Sequence, residues 1–295
     1  MKEKTIYALG FFDGVHLGHQ ALLQDCKALA DREGCKAGVV TFIGHPDTLV
    51  SGVTPRLINT PEDRKKLLLQ FHMDAVVELP FDQSLMQMPW RSFLEMLQEN
   101  YGAVGFVCGA DFRFGDRGQG TAAVLQQYCW DSGLPCQVVP EQRLDGTVIS
   151  STHIRALLEQ GQMEAAVRFL GHPHILTATV VSGRQLGRTI GIPTANLEVP
   201  EGIVGLRHGV YACKAEVLGK TLLAVTNVGI RPTVGGDSVT VEPWLLDFEG
   251  DLYGQKMTLQ FFAFLREEKK FSSLEELKAE IQKNALQTKE LLEKS

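Results

Sequence analysis

The stretch Ile6 to Gln20, I-Y-A-L-G-F-F-D-G-V-H-L-G-H-Q, constrains the fold of this chain more than any other. The apolar run Ile6 to Leu9 has the length and composition of a buried parallel strand, and Gly10 ends it. A turn through Asp13 and Gly14 follows, and Leu17, Leu22 and Leu23 then take up helical spacing. His16 and His19 therefore fall at a strand-to-helix turn, at the amino end of a helix packed on a sheet. Unpaired backbone N–H groups and a partial positive charge at such an end attract phosphate. Two imidazoles three residues apart share a face and supply hydrogen-bond donors, and Gly18 leaves room for a nucleotide to approach. The same spacing also fits a solvated helix face or half of a metal site. A zinc site needs more ligands, and no cysteine pair at ligand spacing stands near. The turn reads as one built for phosphate.

A chain of 295 residues has room for two cores, and 44% hydrophobic with 22% charged residues is the balance of an ordinary soluble globular protein. The net charge of −6 argues against nucleic-acid or membrane partners, so any positive charge for phosphorylated substrates must be local to the sites. The six cysteines are scattered without a C-x-x-C, as free thiols in a reducing cytoplasm would be. The first apolar run is too short for a signal peptide, and no stretch reaches the ~20 apolar residues of a membrane span.

Further strands are expected at Lys36 to Phe42, Asp74 to Leu79, Val104 to Cys108 and Cys136 to Pro140. Helices are expected from Pro61, from Pro89 to Asn100 and from Thr121 to Trp130. This alternation implies a doubly wound parallel sheet, in which ligands bind at the carboxyl ends of the strands. His16, His45, Asp111 and Arg113 all follow strand ends, so they should share one rim. In V-I-S-S-T-H-I-R, Ser150, Ser151 and Thr152 open a helix carrying Arg155. That is a helix cap by composition and, taken with H-x-G-H, a second half of one phosphate site.

The series G-F-F-D-G-V-H-L-G-H-Q, T-F-I-G-H-P, G-A-D-F-R-F-G and I-S-S-T-H-I-R resembles the adenylyltransferase half of bifunctional riboflavin kinase/FAD synthetases. The resemblance implies a Rossmann-like nucleotidyltransferase domain over 1–170, with a helical connector from about 157. It implies that His16 and His19 stabilise the ATP phosphates as pyrophosphate leaves, and that Gly10, Phe12, Asp13, Gly18, Ser151, Thr152 and Arg155 bind ATP. It places His45, Pro46, Asp111 and Phe112 at the flavin. The chain departs from the family pattern at Phe11, where Asn is common, at Ile43-Gly44, where Asp-Pro is common, and at Ala110, where an aromatic is common.

From Gly171 onward the period changes, and many short strands with Gly and Pro turns suggest a small antiparallel barrel over 171–295. Tyr211, Cys213, Ala215 and Val217 alternate with Lys214 and Glu216. Met257, Leu259, Phe261, Ala263 and Leu265 are expected on one face. A closing helix begins at Ser272 or Ser273 with a capping box, and Leu274, Leu277 and Ile281 are expected on its buried side. In V-S-G-R-Q-L-G-R-T-I-G-I-P-T-A-N-L, three glycines and two arginines suit phosphate, and Thr194 and Asn196 offer neutral oxygens to magnesium. This run, N-V-G-I-R-P-T and L-L-D-F-E-G-D-L-Y-G resemble the riboflavin kinase module. The resemblance implies Mg-ATP binding by Gly183, Gly187, Arg188, Thr194 and Asn196, and flavin binding by Arg231 and Trp244. It implies Glu242 as the base that deprotonates the ribityl hydroxyl. Pro243 should restrict its strand to an edge or a bulge, and Trp244 should share a face with Glu242. Asp247, Glu249 and Asp251 read as turn chemistry.

The expectation is therefore a cytoplasmic, magnesium-dependent enzyme that turns riboflavin and ATP into FMN, and FMN and a second ATP into FAD. Its expected partners are those small molecules, with no nucleic acid and no membrane, and the sequence leaves the oligomeric state open. Two rivals are an adenylyltransferase beside a weakened kinase, and a flavin-binding regulator without turnover.

Overall fold

The computed structural model describes residues 2–182, 191–233 and 236–293, the side chains of 231–238 excepted. Contacts divide the chain into two compact units, Met1–Arg56 with Pro61–Ser151, and Leu57–Thr60 with Thr152–Ser295.

The first unit runs β1 (Thr5–Leu9), α1 (Leu17–Glu33), β2 (Lys36–Ile43), α2 (Pro46–Val50), α3 (Pro61–Gln70), β3 (Ala75–Pro80), α4 (Gln83–Met86), α5 (Trp90–Tyr101) and β4 (Ala103–Gly109). A two-stranded excursion, β5 (Arg113–Phe114) and β6 (Gly120–Thr121), precedes α6 (Ala122–Ser132) and β7 (Cys136–Val139). A second small hairpin, β8 (Arg143–Leu144) and β9 (Thr147–Val148), ends the unit. The main sheet is parallel throughout in the order β3-β2-β1-β4-β7. Every residue of β1 is buried, as the apolar run requires of a central strand. The chain winds to one side through β2 and β3 and to the other through β4 and β7. The switch point therefore lies between β1 and β4.

Ser151 ends the first unit and opens α7 (Ser151–Glu159), and the second unit continues with the rest of α7, α8 (Met163–Leu170), β10 (His174–Val181), β11 (Asn196–Glu198), β12 (Gly209–Val217), β13 (Lys220–Thr233), β14 (Gly236–Leu245), β15 (Lys256–Arg266) and α9 (Leu274–Leu292). Its strands close a barrel in the order β10-β11-β14-β13-β12-β15. The helical pair that the sequence reads as a connector breaks at Gly161, and α8 packs on β10 and β15.

Two expected faces are corrected here. Tyr211 pairs with Phe264 and Ala212 with Ala263, but Cys213 pairs with Phe261. Phe262 is thus an extra residue, and this bulge reverses the side-chain parity of β15. Met257, Leu259 and Phe261 stay on the Cys213–Ala215 face, whereas Ala263 clusters with Ala212 and Leu292 beneath α9. In α9, Ser273 is the N-cap, accepting from the Glu276 N–H at 3.1 Å, and Glu276 accepts in turn from Ser272. Leu274 lies on the exposed side, while Leu277 and Ile281 turn inward.

Candidate active sites

The turn after β1 is held by side-chain hydrogen bonds to its carbonyls, one buried and two part-buried. Phe12 and Val15 both hold positive φ, at 60° and 39°, a strained backbone for non-glycine residues. Thr41 Oγ1 donates to the Phe11 carbonyl at 2.8 Å, Ser151 Oγ to that of Asp13 at 2.9 Å, and Gln20 Nε2 to that of Val15 at 2.9 Å. These bonds hold the turn in its unusual shape.

His16 is the N-cap of α1, and its Nδ1 accepts the His19 backbone N–H at 3.3 Å. An accepting Nδ1 puts the proton of the neutral ring on Nε2. The His16 and His19 rings stack with centroids 3.7 Å apart and planes 11° from parallel. His19 Nδ1 is buried without a hydrogen-bond partner. Burial first, then the neighbouring His16 and the Arg64 charge, push His19 well below the usual imidazole value, so it is neutral near pH 7. A Cβ on Gly18 would stand 3.2 Å from His16 Cε1 and Nδ1. The glycine makes room for the His16 ring itself.

Two cavities open at this rim. One, of about 510 Å³, is walled by Gly10, Phe11, Phe12, His19, Pro46, Asp111 and Phe112. The other, of about 480 Å³, takes His16, Gly18, His19, Asp111, Ser150 and Ser151. His19 and Asp111 belong to both, so the fold brings these sequence-expected residues together at the β1/β4 switch point. Two others stand back from the walls. His45 caps α2 and packs edge-on against Phe11, ring centroids 4.6 Å apart. Asp13 is buried within the turn. Thr152 and Arg155 fall in the second unit, where Arg155 Nη2 donates to Thr152 Oγ1 at 3.3 Å.

The barrel carries two cavities of its own. One, of about 440 Å³, lies among Val180, Gly191, Pro193, Thr194, Leu245 and the Phe248 to Tyr253 loop. The other, of about 280 Å³, is walled by Thr194, Val225, Asn227, Glu242, Trp244, Arg266, Glu268, Leu277 and Ile281. Thr194 borders both. Glu242 and Trp244 share one face, and cross-strand pairing sets them opposite Asn227 and Val225. The Pro243 carbonyl accepts the Ala195 N–H at 2.9 Å, so its nitrogen points away from β13 and its missing N–H costs no bond in that ladder. β14 is paired on both sides in the barrel rather than lying at an edge, and among the described residues β11 pairs with it at Leu197 and Val241, short of Pro243. Asn196 opens β11 opposite Val181. Asp247 receives Lys289 at 2.9 Å and Asp251 accepts the Tyr253 N–H at 3.0 Å, which is turn and rim chemistry. Gly183, Gly187 and Arg188 lie outside the described residues, as does the side chain of Arg231.

Sequence reasoning missed Arg64 and Arg266, and it gave Phe11 and Asn227 no role on a cavity wall. Arg64 sits in P-E-D-R-K-K, which reads as a solvated helix start, yet it is 1% exposed.

Together the fold and its sites define a two-unit protein. A doubly wound unit has a histidine pair at a helix start, and a closed barrel sets a carboxylate beside a threonine. The FAD synthetase family model matches residues 1–153 and the riboflavin kinase family model residues 170–292. A bifunctional riboflavin kinase/FMN adenylyltransferase of Listeria monocytogenes is 32% identical over 287 residues, covering 96% of this chain and 91% of that protein. One from Pseudomonas fluorescens is 35% identical, covering 94% and 89%. A crystal structure titled as a macrolide-efflux protein from Streptococcus pneumoniae superposes with a TM-score of 0.88 at 27% identity, covering 98% of this chain and 95% of that one. The chain belongs to the bifunctional riboflavin kinase/FMN adenylyltransferase family. Among its described residues, no helix is long and apolar enough to cross a membrane.

Proposed function

We propose that the barrel phosphorylates riboflavin to FMN and that the doubly wound unit joins FMN to AMP, giving FAD. The observation that carries the reading is that each unit sets its chemistry-bearing residues on a cavity wall. The stacked His16–His19 pair does so in one and Glu242 with Thr194 in the other. Each family model covers one of these residue sets.

In adenylyl transfer an FMN phosphate oxygen attacks the α-phosphorus of ATP, the bond to the bridging oxygen breaks, and pyrophosphate leaves. No protein nucleophile is needed, so the residues position and stabilise. The His16 Nε2–H and the His19 imidazole donate to phosphate oxygens, beside the amino end of α1. Pro46, Asp111 and Phe112 border the flavin, with His45 behind Phe11, and Ser151 fixes the turn from below. Thr152 and Arg155 are assigned to the ATP phosphates on family resemblance.

In the barrel, Glu242 accepts the ribityl hydroxyl proton as that oxygen attacks the γ-phosphorus, and ADP departs. Trp244 offers an aromatic wall beside it. The 440 Å³ cavity takes the nucleotide and the 280 Å³ cavity the flavin, with Thr194 at their shared border. The neutral oxygens of Thr194 and Asn196 suit magnesium, a hard cation that keeps several waters. When bound it supplies charge neutralisation at the phosphates. Gly183, Gly187 and Arg188 are assigned to the nucleotide, and Arg231 to the flavin, on family resemblance. The free thiols fit a cytoplasmic setting.

Assays of the separate half-reactions test the assignment. His16→Ala should abolish FAD formation from supplied FMN and leave riboflavin phosphorylation intact. A folded variant that loses both activities would overturn the two-site reading.

A further inference from the structure

Arg64, one turn into α3, is among the largest fully buried side chains of the described residues. Its Nη2 donates to the Phe42 carbonyl at 2.6 Å, where β2 reaches the rim. Nε and Nη1 are buried with no hydrogen-bond partner. The guanidinium carbon stands 4.4 Å from the centre of the Phe11 ring, a wall of the 510 Å³ cavity. Asp13 and Glu78 act on it at longer range, and burial lowers its affinity for the proton without discharging so strong a base.

A buried cation with two orphaned donors is a poor stabiliser, and an apolar side chain of similar volume would serve the fold as well or better. The histidine pair, by contrast, carries no buried cation of its own, and Arg113 on the wall of the 510 Å³ cavity is exposed to solvent. FMN and ATP bring several negative charges together, while His19 is neutral and His16 uses Nδ1 as an acceptor. Neutral imidazoles give hydrogen bonds but no net charge. Arg64 is the cation whose field reaches His19, and it does so through a dry interior where charge acts strongly.

We propose that Arg64 is a buried, fixed positive charge beneath the adenylyl-transfer site, a positioning residue that acts through Phe11 and His19 without touching substrate. Because its orientation is set before substrate arrives, no reorganisation is needed as charge shifts toward pyrophosphate. The proposal rests on the adenylyltransferase reading above. The bland alternative is a tether, in which the bond to Phe42 merely holds α3 against β2.

The test uses the full chain with Arg64→Met, Arg64→Gln and Arg64→Lys, assayed for FAD formation from supplied FMN, ATP and magnesium, with thermal melts alongside. Arg64→Met and Arg64→Gln should melt within a few degrees of the parent or above it. Their kcat should fall about tenfold or more, with KM for FMN changed less than about threefold. Arg64→Lys, which keeps the charge, should recover most of that kcat. A neutral variant with the parent's kcat overturns the proposal. So does a parallel loss of kcat and melting temperature in all three, or neutral variants that do not fold while Arg64→Lys folds, since these mark a tether. A parent that makes no FAD from FMN sinks the adenylyltransferase reading instead, so the two failures are distinguishable.

Discussion

Replacing Gly18 with alanine perturbs the adenylyl-transfer site by one methyl group. The new Cβ would lie 3.2 Å from two atoms of the His16 ring, closer than ordinary van der Waals contact, so the ring must yield by a few tenths of an ångström. Gly18 has a helical backbone, so alanine gains about 1 kcal/mol of helix propensity there. The shifted ring weakens the cap from His19 N–H to His16 Nδ1, already 3.3 Å long, and losing such a cap costs about 1 kcal/mol. These contributions nearly cancel, and the melting temperature should move by less than about 3 °C. The rate has no compensating gain. A displaced His16 Nε2–H misses the departing phosphate, and kcat for FAD formation should fall about tenfold. Initial rates with supplied FMN, beside riboflavin phosphorylation and a thermal melt, separate the effects. An unchanged kcat for FAD formation would refute the role given to the His16 ring, and equal loss of both activities would mean a folding defect.

Glu242→Gln should abolish FMN formation from riboflavin while FAD still forms from supplied FMN. A kinase rate equal to the parent's would remove Glu242 as the base. Inside the barrel unit, burial and the nearby His172 hold His174 at about 3, and its Nδ1 has no partner. An unfolded histidine titrates near 6.5, so between those values the unfolded chain binds the extra proton. His174 therefore costs no stability above pH 6.5 and removes about 1.4 kcal/mol per unit as pH falls well below it toward 3. Urea melts from pH 7 to 4 should show a steeper decline for the parent than for His174→Leu, and equal slopes would contradict the burial argument.

The backbone plan was legible because periodicity reports burial. The four-residue apolar run Ile6 to Leu9 became the fully buried centre of a parallel sheet, and alternation at Tyr211 to Val217 became a barrel strand. Side-chain parity past Phe262 was not legible, because a bulge leaves the pattern of apolar residues intact while turning half of them outward. Ala263 was expected on the face of Met257, Leu259 and Phe261, but it lies with Ala212 on the side that α9 covers. The histidine pair declared itself through H-x-G-H, but its stacking and the acceptor role of His16 Nδ1 come from the cap. Arg64 was hidden for the opposite reason. A charged residue among charged neighbours signals solvent, and only tertiary packing turned it under Phe11. The Leu57–Thr60 segment lies early in the chain, yet its contacts belong to the second unit through Leu57 and Ile203 and the bond from Asn59 to the Ile175 carbonyl. Nothing local marks such a segment.

The most direct test of two working sites is a product time course with riboflavin, ATP and magnesium, following riboflavin, FMN and FAD by chromatography. FMN should rise first and then give way to FAD. FAD from added FMN with no FMN from riboflavin would contradict the barrel's role, and FMN that accumulates without FAD would contradict that of the histidine pair.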